Sequence, residues 1–185
     1  YGRMINGEGW LENKTKANLE VIRIKNYNHN LKYEPPVRPS PNLPNLQSIY
    51  LYPSLAFLEK TEVSIGRGTK IQFQIYGHPN FISDFSFTPM PNFGSQYPKL
   101  SGKLSFGEDL RNYKTKDRIE LKWLIKSYNQ ISDKTKFFRS DFDKLSGTSN
   151  LKKQIIEGES ESLIRDSWKD GLEKFKKIRE KYLLY

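Results

Sequence analysis

The sequence predicts an α+β fold: a small, mostly antiparallel or barrel-like sheet flanked by helices, with a long helix at the C-terminal end. Three observations carry that expectation. All ten prolines fall between Pro35 and Pro98, and proline removes a backbone donor and disfavours helix interiors, so the middle is made of turns, extended segments and short strands. The proline-free final third carries apolar residues at helical spacing. Hydrophobic residues are 36% and aromatic residues 14% of the 185, which is enough to bury one core and too apolar for a disordered chain. No internal repeat is visible, so residues 1–185 are read as one domain.

The elements follow in order. Residues 1–13 read as the end of a helix and a turn at Gly7 and Gly9. Leu19 to Lys25 alternates apolar and polar residues, the pattern of a half-buried strand. Residues 45–58 place Leu46, Ile49, Tyr50, Leu55 and Leu58 near one helix face, with a break or kink expected at Pro53. Residues 62–65 and 71–76 are strand candidates around Gly66-Arg67-Gly68, and residues 85–88 and 103–106 are weaker ones. Residues 118–129 and 150–157 read as helices, the second ending at Gly158, which suits a left-handed cap. Ser160 then opens the last helix, where Leu163, Ile164, Trp168, Leu172, Phe175 and Ile178 form a stripe at helical spacing. Lys174, Lys176, Lys177, Arg179 and Lys181 crowd its final turns, where cations suit the helix dipole.

Composition excludes several chemistries. There is no cysteine and there are only two histidines, His29 and His78. Disulfide scaffolds, cysteine-type zinc sites and thiol catalysis are excluded, and a Ser–His–Asp triad has only those two histidines to draw on. No metal-ligand spacing occurs and no cofactor is expected. Mean hydropathy is −0.75, and no apolar run approaches the roughly 20 residues of a membrane span. Thirty-one Lys and Arg against 21 Asp and Glu give a net charge of +10. That charge is spread along the chain with no nucleic-acid-binding motif, so no nucleic-acid partner is expected.

Four segments could carry recognition chemistry. In Asn6-Gly7-Glu8-Gly9-Trp10 two glycines bracket a carboxylate and allow close backbone approach; the plainer explanation is a capped helix end with a buried tryptophan. In Glu59-Lys60-Thr61-Glu62-Val63-Ser64-Ile65-Gly66-Arg67-Gly68-Thr69 a strand runs into a glycine-flanked arginine, whose fork can take a carboxylate bidentately. The alternative is a turn whose Arg67 pairs with a carboxylate of its own chain such as Glu59. Tyr50 and Tyr52, beside proline turns, suit sugar-ring stacking or a half-buried helix face. Glu108, Asp109 and Arg111 read as a structural ion cluster. No two carboxylates are persuasive as a general acid–base pair.

Many ordered motifs carry a resemblance over residues 5–185: NGEGWL, RPSPNLP, LYPSL, E-x-T-x-V-S-I-G-R-G-T, F-x-x-x-G-x-P, FSFTP, GEDLR, GT-x-x-L-x-x-Q-I-x-x-G-x-S-x-x-x-I-R-x-S-W and the terminal R-x-K-Y-L-L-Y. Together they closely resemble the NamZ-type exo-β-N-acetylmuramidases, long known as a domain of unknown function. The resemblance implies release of N-acetylmuramic acid from the non-reducing ends of peptidoglycan fragments. It also implies an upstream Rossmann-like catalytic domain, with the substrate cleft between that domain and this one. The sequence starts at Tyr1-Gly2-Arg3-Met4, and this chain is expected to be the C-terminal auxiliary domain. The catalytic glutamate is expected upstream, so no catalytic residue is assigned within it. Asn6, Glu8, Tyr52, Ser54, Glu59, Ser64, Arg67 and Thr69 match the motifs and are the expected substrate-binding residues. Lys60 stands where a glycine is expected and His78 where a small residue is usual.

The expected partners are therefore muropeptides and the upstream domain of the same protein. The expected setting is secreted or periplasmic, with a lipid anchor through an upstream N-terminus as a variant. The competing expectation is a stand-alone module that grips anionic cell-wall glycan.

Overall fold

A computed structural model of the protein describes residues 1–184. In chain order the helices are α1 (Gly2–Glu8), α2 (Leu46–Leu55), α3 (Lys122–Gln130), α4 (Phe142–Ser146), α5 (Asn150–Ile156), α6 (Glu161–Asp166) and α7 (Lys169–Glu180). The strands are β1 (Ile75–His78), β2 (Phe85–Phe87) and β3 (Ser105–Asp109). The fold is α+β, as the sequence predicts. Two compact units are present: Tyr1–Tyr33 with Arg165–Tyr185, and Glu34–Ile164.

In the first unit, α1 ends at Gly9, whose φ of 67° is the left-handed cap conformation that glycine adopts without penalty. The helix end predicted here is present, but Trp10 is 50% exposed rather than buried. The strand expected at Leu19–Lys25 does not form. Alternation makes one face apolar but supplies no partner, and Ile22 is 87% exposed. The single final helix is instead two, α6 and α7, parted at Ser167 and Trp168. No residue of α7 is buried; its stripe residues Leu172 and Phe175 are exposed. The terminal tyrosine of the last motif, Tyr185, lies outside the described residues.

In the second unit, Asn45 opens α2 with a reciprocal capping box. Its side-chain oxygen accepts from the Ser48 N–H at 3.0 Å, and the Ser48 hydroxyl oxygen accepts from the Asn45 N–H at 3.3 Å. The helix runs through Pro53 and tightens into a 3-10 turn at Ala56–Lys60. Proline removes one hydrogen bond near the helix end, and Pro53 lies on the exposed side, so no break results. Leu51, Leu55, Leu58, Phe73, Ile75, Leu121, Leu124, Phe137 and Phe142 are fully buried and form the core. Edge-on ring packing of Phe138 against Phe137 and Phe142, with centroids 4.8 and 4.6 Å apart, closes one end of it.

The sheet is antiparallel and open, in the order β1-β3-β2. Gly77 of β1 faces Gly107 of β3, while the Gly77 N–H and C=O are both spent on Ser64, at 2.9 Å each. Gly77 and Gly107 thus meet as a non-hydrogen-bonded pair, the closer of the two antiparallel spacings. A Cβ on Gly107 would sit 1.8 Å from the Tyr76 carbonyl oxygen. The Ser64–Gly77 bridge brings the expected strand of residues 62–65 beside the sheet as an isolated bridge only.

Candidate functional site

The glycine-flanked arginine is built as a tight turn off that bridge. Gly66 and Gly68 have φ of 77° and 82°. A Cβ on Gly66 would lie 2.5 Å from Ile75, and one on Gly68 2.6 Å from the Met90 carbonyl oxygen, so side chains are excluded by both conformation and space. The Thr69 N–H and hydroxyl both donate to the Gly66 carbonyl, at 3.0 and 2.7 Å. The Ser64 hydroxyl oxygen accepts from the Gly66 N–H at 3.2 Å. Ser64 is buried, and together these bonds hold Arg67 at the tip.

Arg67 is gripped from two sides. Its Nε donates to Glu59 Oε1 at 2.5 Å, and its guanidinium carbon lies 5.1 Å from the centre of the Phe73 ring. The Tyr52 ring packs against the same Phe73 ring, with centroids 4.8 Å apart. Arg67 does pair with Glu59, as the structural alternative foresaw. The pairing uses Nε alone, however, and among the described residues the two Nη atoms donate to nothing. Arg67, with a third of its side chain exposed, and the exposed Tyr52 ring thus both pack on the Phe73 ring. Guanidinium N–H donors left unengaged in this way suit a carboxylate borne on a sugar.

Phe73 holds its platform in a costly way. Its φ is 56°, left-handed backbone that a bulky residue rarely adopts. Its N–H is nonetheless bonded to the Ile65 carbonyl at 2.9 Å and its ring is wholly buried. Strain of this kind costs on the order of 1–3 kcal/mol and gathers at sites where a fixed geometry is needed.

Beneath the turn, Lys99 sends its ammonium among four carbonyl oxygens: Leu58 at 3.0 Å, Glu59 at 3.3 Å, Thr61 at 2.5 Å and Val63 at 2.8 Å. Burial presses its pKa down to about 7, aided by the charges of Arg139 and Arg67 and opposed by Glu62 and Glu59. Burial also lowers the pKa of nearby His78.

The other expected site residues are placed differently. Ser54 is buried in α2 and its hydroxyl oxygen accepts from the Glu120 N–H at 2.9 Å. In the first unit, the Asn6 amide exchanges two 2.9 Å bonds with the backbone of Ala17. Glu8 accepts from the Tyr182 hydroxyl at 2.7 Å and from Lys181 at 3.2 Å, and these bonds lower its pKa. Tyr52, Glu59 and Arg67 are thus linked through the Phe73 ring and the Arg67–Glu59 pair, and Ser64 and Thr69 brace the turn, whereas Ser54, Asn6 and Glu8 are occupied in holding backbone and helix ends. Phe73 and Lys99 were not legible as site residues. Phe73 reads as part of an apolar run, and nothing marks Lys99 among the surface lysines. Among the described residues, no group of three or more His, Asp and Glu is placed to hold a metal ion.

Comparison with known proteins agrees with the motifs. The family model described as "Exo-beta-N-acetylmuramidase NamZ, C-terminal" matches residues 50–185. The peptidoglycan beta-N-acetylmuramidase NamZ of Bacillus subtilis (strain 168) is 31% identical over 193 residues, which cover 91% of this chain and 46% of that protein. A crystal structure of a DUF1343 family protein from Bacteroides fragilis NCTC 9343 superposes with a TM-score of 0.95 at 42% identity, over 100% of this chain and 54% of that one. A second DUF1343 family protein of the same organism shares the fold, with a TM-score of 0.70 at 20% identity, over 98% of this chain and 54% of that one. The chain spans about half the length of these relatives. With its family model matched over residues 50–185, the chain belongs to the NamZ exo-β-N-acetylmuramidase C-terminal family.

Proposed function

We propose that this chain is the substrate-gripping C-terminal part of an exo-acting hydrolase that removes N-acetylmuramic acid from the non-reducing ends of peptidoglycan fragments outside the cytoplasm. In this reading the catalytic carboxylates belong to an upstream domain. Residues 34–164 line its cleft with Arg67, Tyr52 and Glu59. The observation that carries it is the open Nη edge of Arg67, which shares the Phe73 ring with Tyr52. N-acetylmuramic acid differs from N-acetylglucosamine by a lactyl ether ending in a carboxylate, the group such an edge recognises. Family membership and the name of the B. subtilis relative, a peptidoglycan beta-N-acetylmuramidase, support the substrate class.

The test is Arg67→Ala in the full-length protein. Losing a charge-assisted pair worth about 1.5–3 kcal/mol weakens N-acetylmuramic acid binding roughly ten- to hundredfold, and N-acetylglucosamine binding hardly at all. Equal binding of the muramic sugar by variant and parent would sink the carboxylate role. In a parallel assay, a chromogenic muramic acid glycoside is cleaved by the full-length protein and left intact by residues 1–185 alone. Cleavage by the 185-residue chain would overturn the division of labour.

A further inference from the structure

We propose that Lys99 is the positioning residue of the Arg67 site: its ammonium fixes the backbone of residues 58–63, thereby Glu59, and through Glu59 the guanidinium. This rests on the reading that Arg67 receives the substrate carboxylate.

An ammonium has three protons to donate, and here four carbonyl oxygens lie within 2.5–3.3 Å of it. The cup is made by one stretch of chain, from the 3-10 turn after α2 to the start of the Arg67 turn. Without a cation at its centre, four carbonyl dipoles would converge on one another. The stretch gathers because Lys99 reaches into it from a separate loop, some 40 residues along the chain. Glu59 belongs to the cup by its own carbonyl, and its carboxylate is the partner of Arg67 Nε. Lys60 pairs with Asp141, Glu62 with Arg139, and Thr61 bridges to Phe138, so the segment is tied at several points. Only Lys99 binds the carbonyl of Glu59 itself among the described residues. The charged and titratable groups facing Lys99 are Arg139, Glu62, Glu59, Arg67 and His78. Its loop, residues 98–100, carries no carboxylate to neutralise it. The carbonyl cup, with Glu62 and Glu59, opposes the loss of its proton.

The experiment has two readouts. In the 185-residue chain, side-chain hydrogen exchange of the Arg67 Nε–H is followed by NMR in the parent and in Lys99→Met, at pH 6. Exchange at Arg67 is expected to quicken about tenfold or more, beyond any change in core amides such as Leu51 and Phe142. A merely structural role would quicken both alike and overturn the proposal, as would an unchanged Arg67 signal. Where Lys99→Met does not fold, the same signal in the parent decides: its protection, corrected for intrinsic exchange, must fall as Lys99 loses its proton, and a flat profile overturns the proposal.

The second readout is the preference of the full-length protein for N-acetylmuramic acid over N-acetylglucosamine. Lys99→Met is expected to lower it at least about fivefold. Preference abolished by Arg67→Ala but intact in Lys99→Met would overturn the role of Lys99 alone. Preference unchanged in Arg67→Ala would refute the carboxylate reading instead, and the exchange measurement would still decide whether Lys99 sets the pair.

Discussion

An ammonium withdrawn from water costs several kcal/mol unless dipoles or charges replace its hydration. Around Lys99 four carbonyl oxygens do so in part, yet burial still presses the pKa down to about 7. Its unfolded value is near 10.5. Between those two values the unfolded chain keeps a proton that the fold releases. Stability from this group is therefore full above pH 10.5, rises with pH across the window, and is lost as pH falls through 7. The slope is at most about 1.4 kcal/mol per pH unit. Urea unfolding at pH 7, 8.5 and 10 should show the parent gaining on Lys99→Met; a parent-minus-variant difference independent of pH would refute this. The protein thus spends stability where the Arg67 turn is held, and Phe73 at φ 56° shows the same cost in backbone form. Neither cost is visible in a sequence, because each arises from segments far apart in the chain. The arginine between glycines was legible, since φ above zero at Gly66 and Gly68 is what that residue pattern encodes.

At the scale of elements, the facing pair Gly77–Gly107 sets how near β1 lies to β3. Gly107→Ala puts a methyl 1.8 Å from a carbonyl oxygen and must part the strands, costing about 3 kcal/mol in unfolding free energy. Gly171→Ala in α7 meets nothing within 4 Å and should gain up to about 1 kcal/mol. Chemical denaturation of both variants checks the pair, and a neutral Gly107→Ala would show that the close approach is not obligatory. Backbone geometry also explains where the strands depart from the sequence pattern. Residues 71–76 have strand-forming side chains, but the turn of backbone at Phe73 delays β1 to Ile75–His78. β3 extends to Asp109 through Gly107 and Glu108, residues that intrinsic preference places outside strands. Helices fared better where a local signal existed: the Gly158 cap stands at φ 79°, and the α2 start is fixed by Asn45 and Ser48. Leu19–Lys25 failed for the opposite reason. A strand is a pairing, and alternation along one segment cannot reveal whether a partner arrives.

Burial across the whole molecule is uneven between the two units, each taken by itself. Among the described residues, every hydrophobic side chain in the buried core belongs to residues 34–164 except Met4. The unit of residues 1–33 and 165–185 carries 13 Lys and Arg against 7 Asp and Glu, a net +6, and buries little to offset the entropy of ordering. Its helix α1 is seven residues long, too short to persist alone in water. It is held by Glu8 on Tyr182 and by Gly7, where a Cβ would lie 2.3 Å from the Tyr182 hydroxyl. Deleting residues 165–185 should therefore melt α1 while residues 34–164 keep their amide protection and a cooperative thermal transition. The cut has to fall after Ile164, which is 0% exposed; a deletion that also removes Ile164 should cost a further 2–5 kcal/mol or so. Hydrogen exchange across the two truncations checks both statements. Loss of protection throughout residues 34–164 on removing only 165–185 would show that this unit does not fold on its own core.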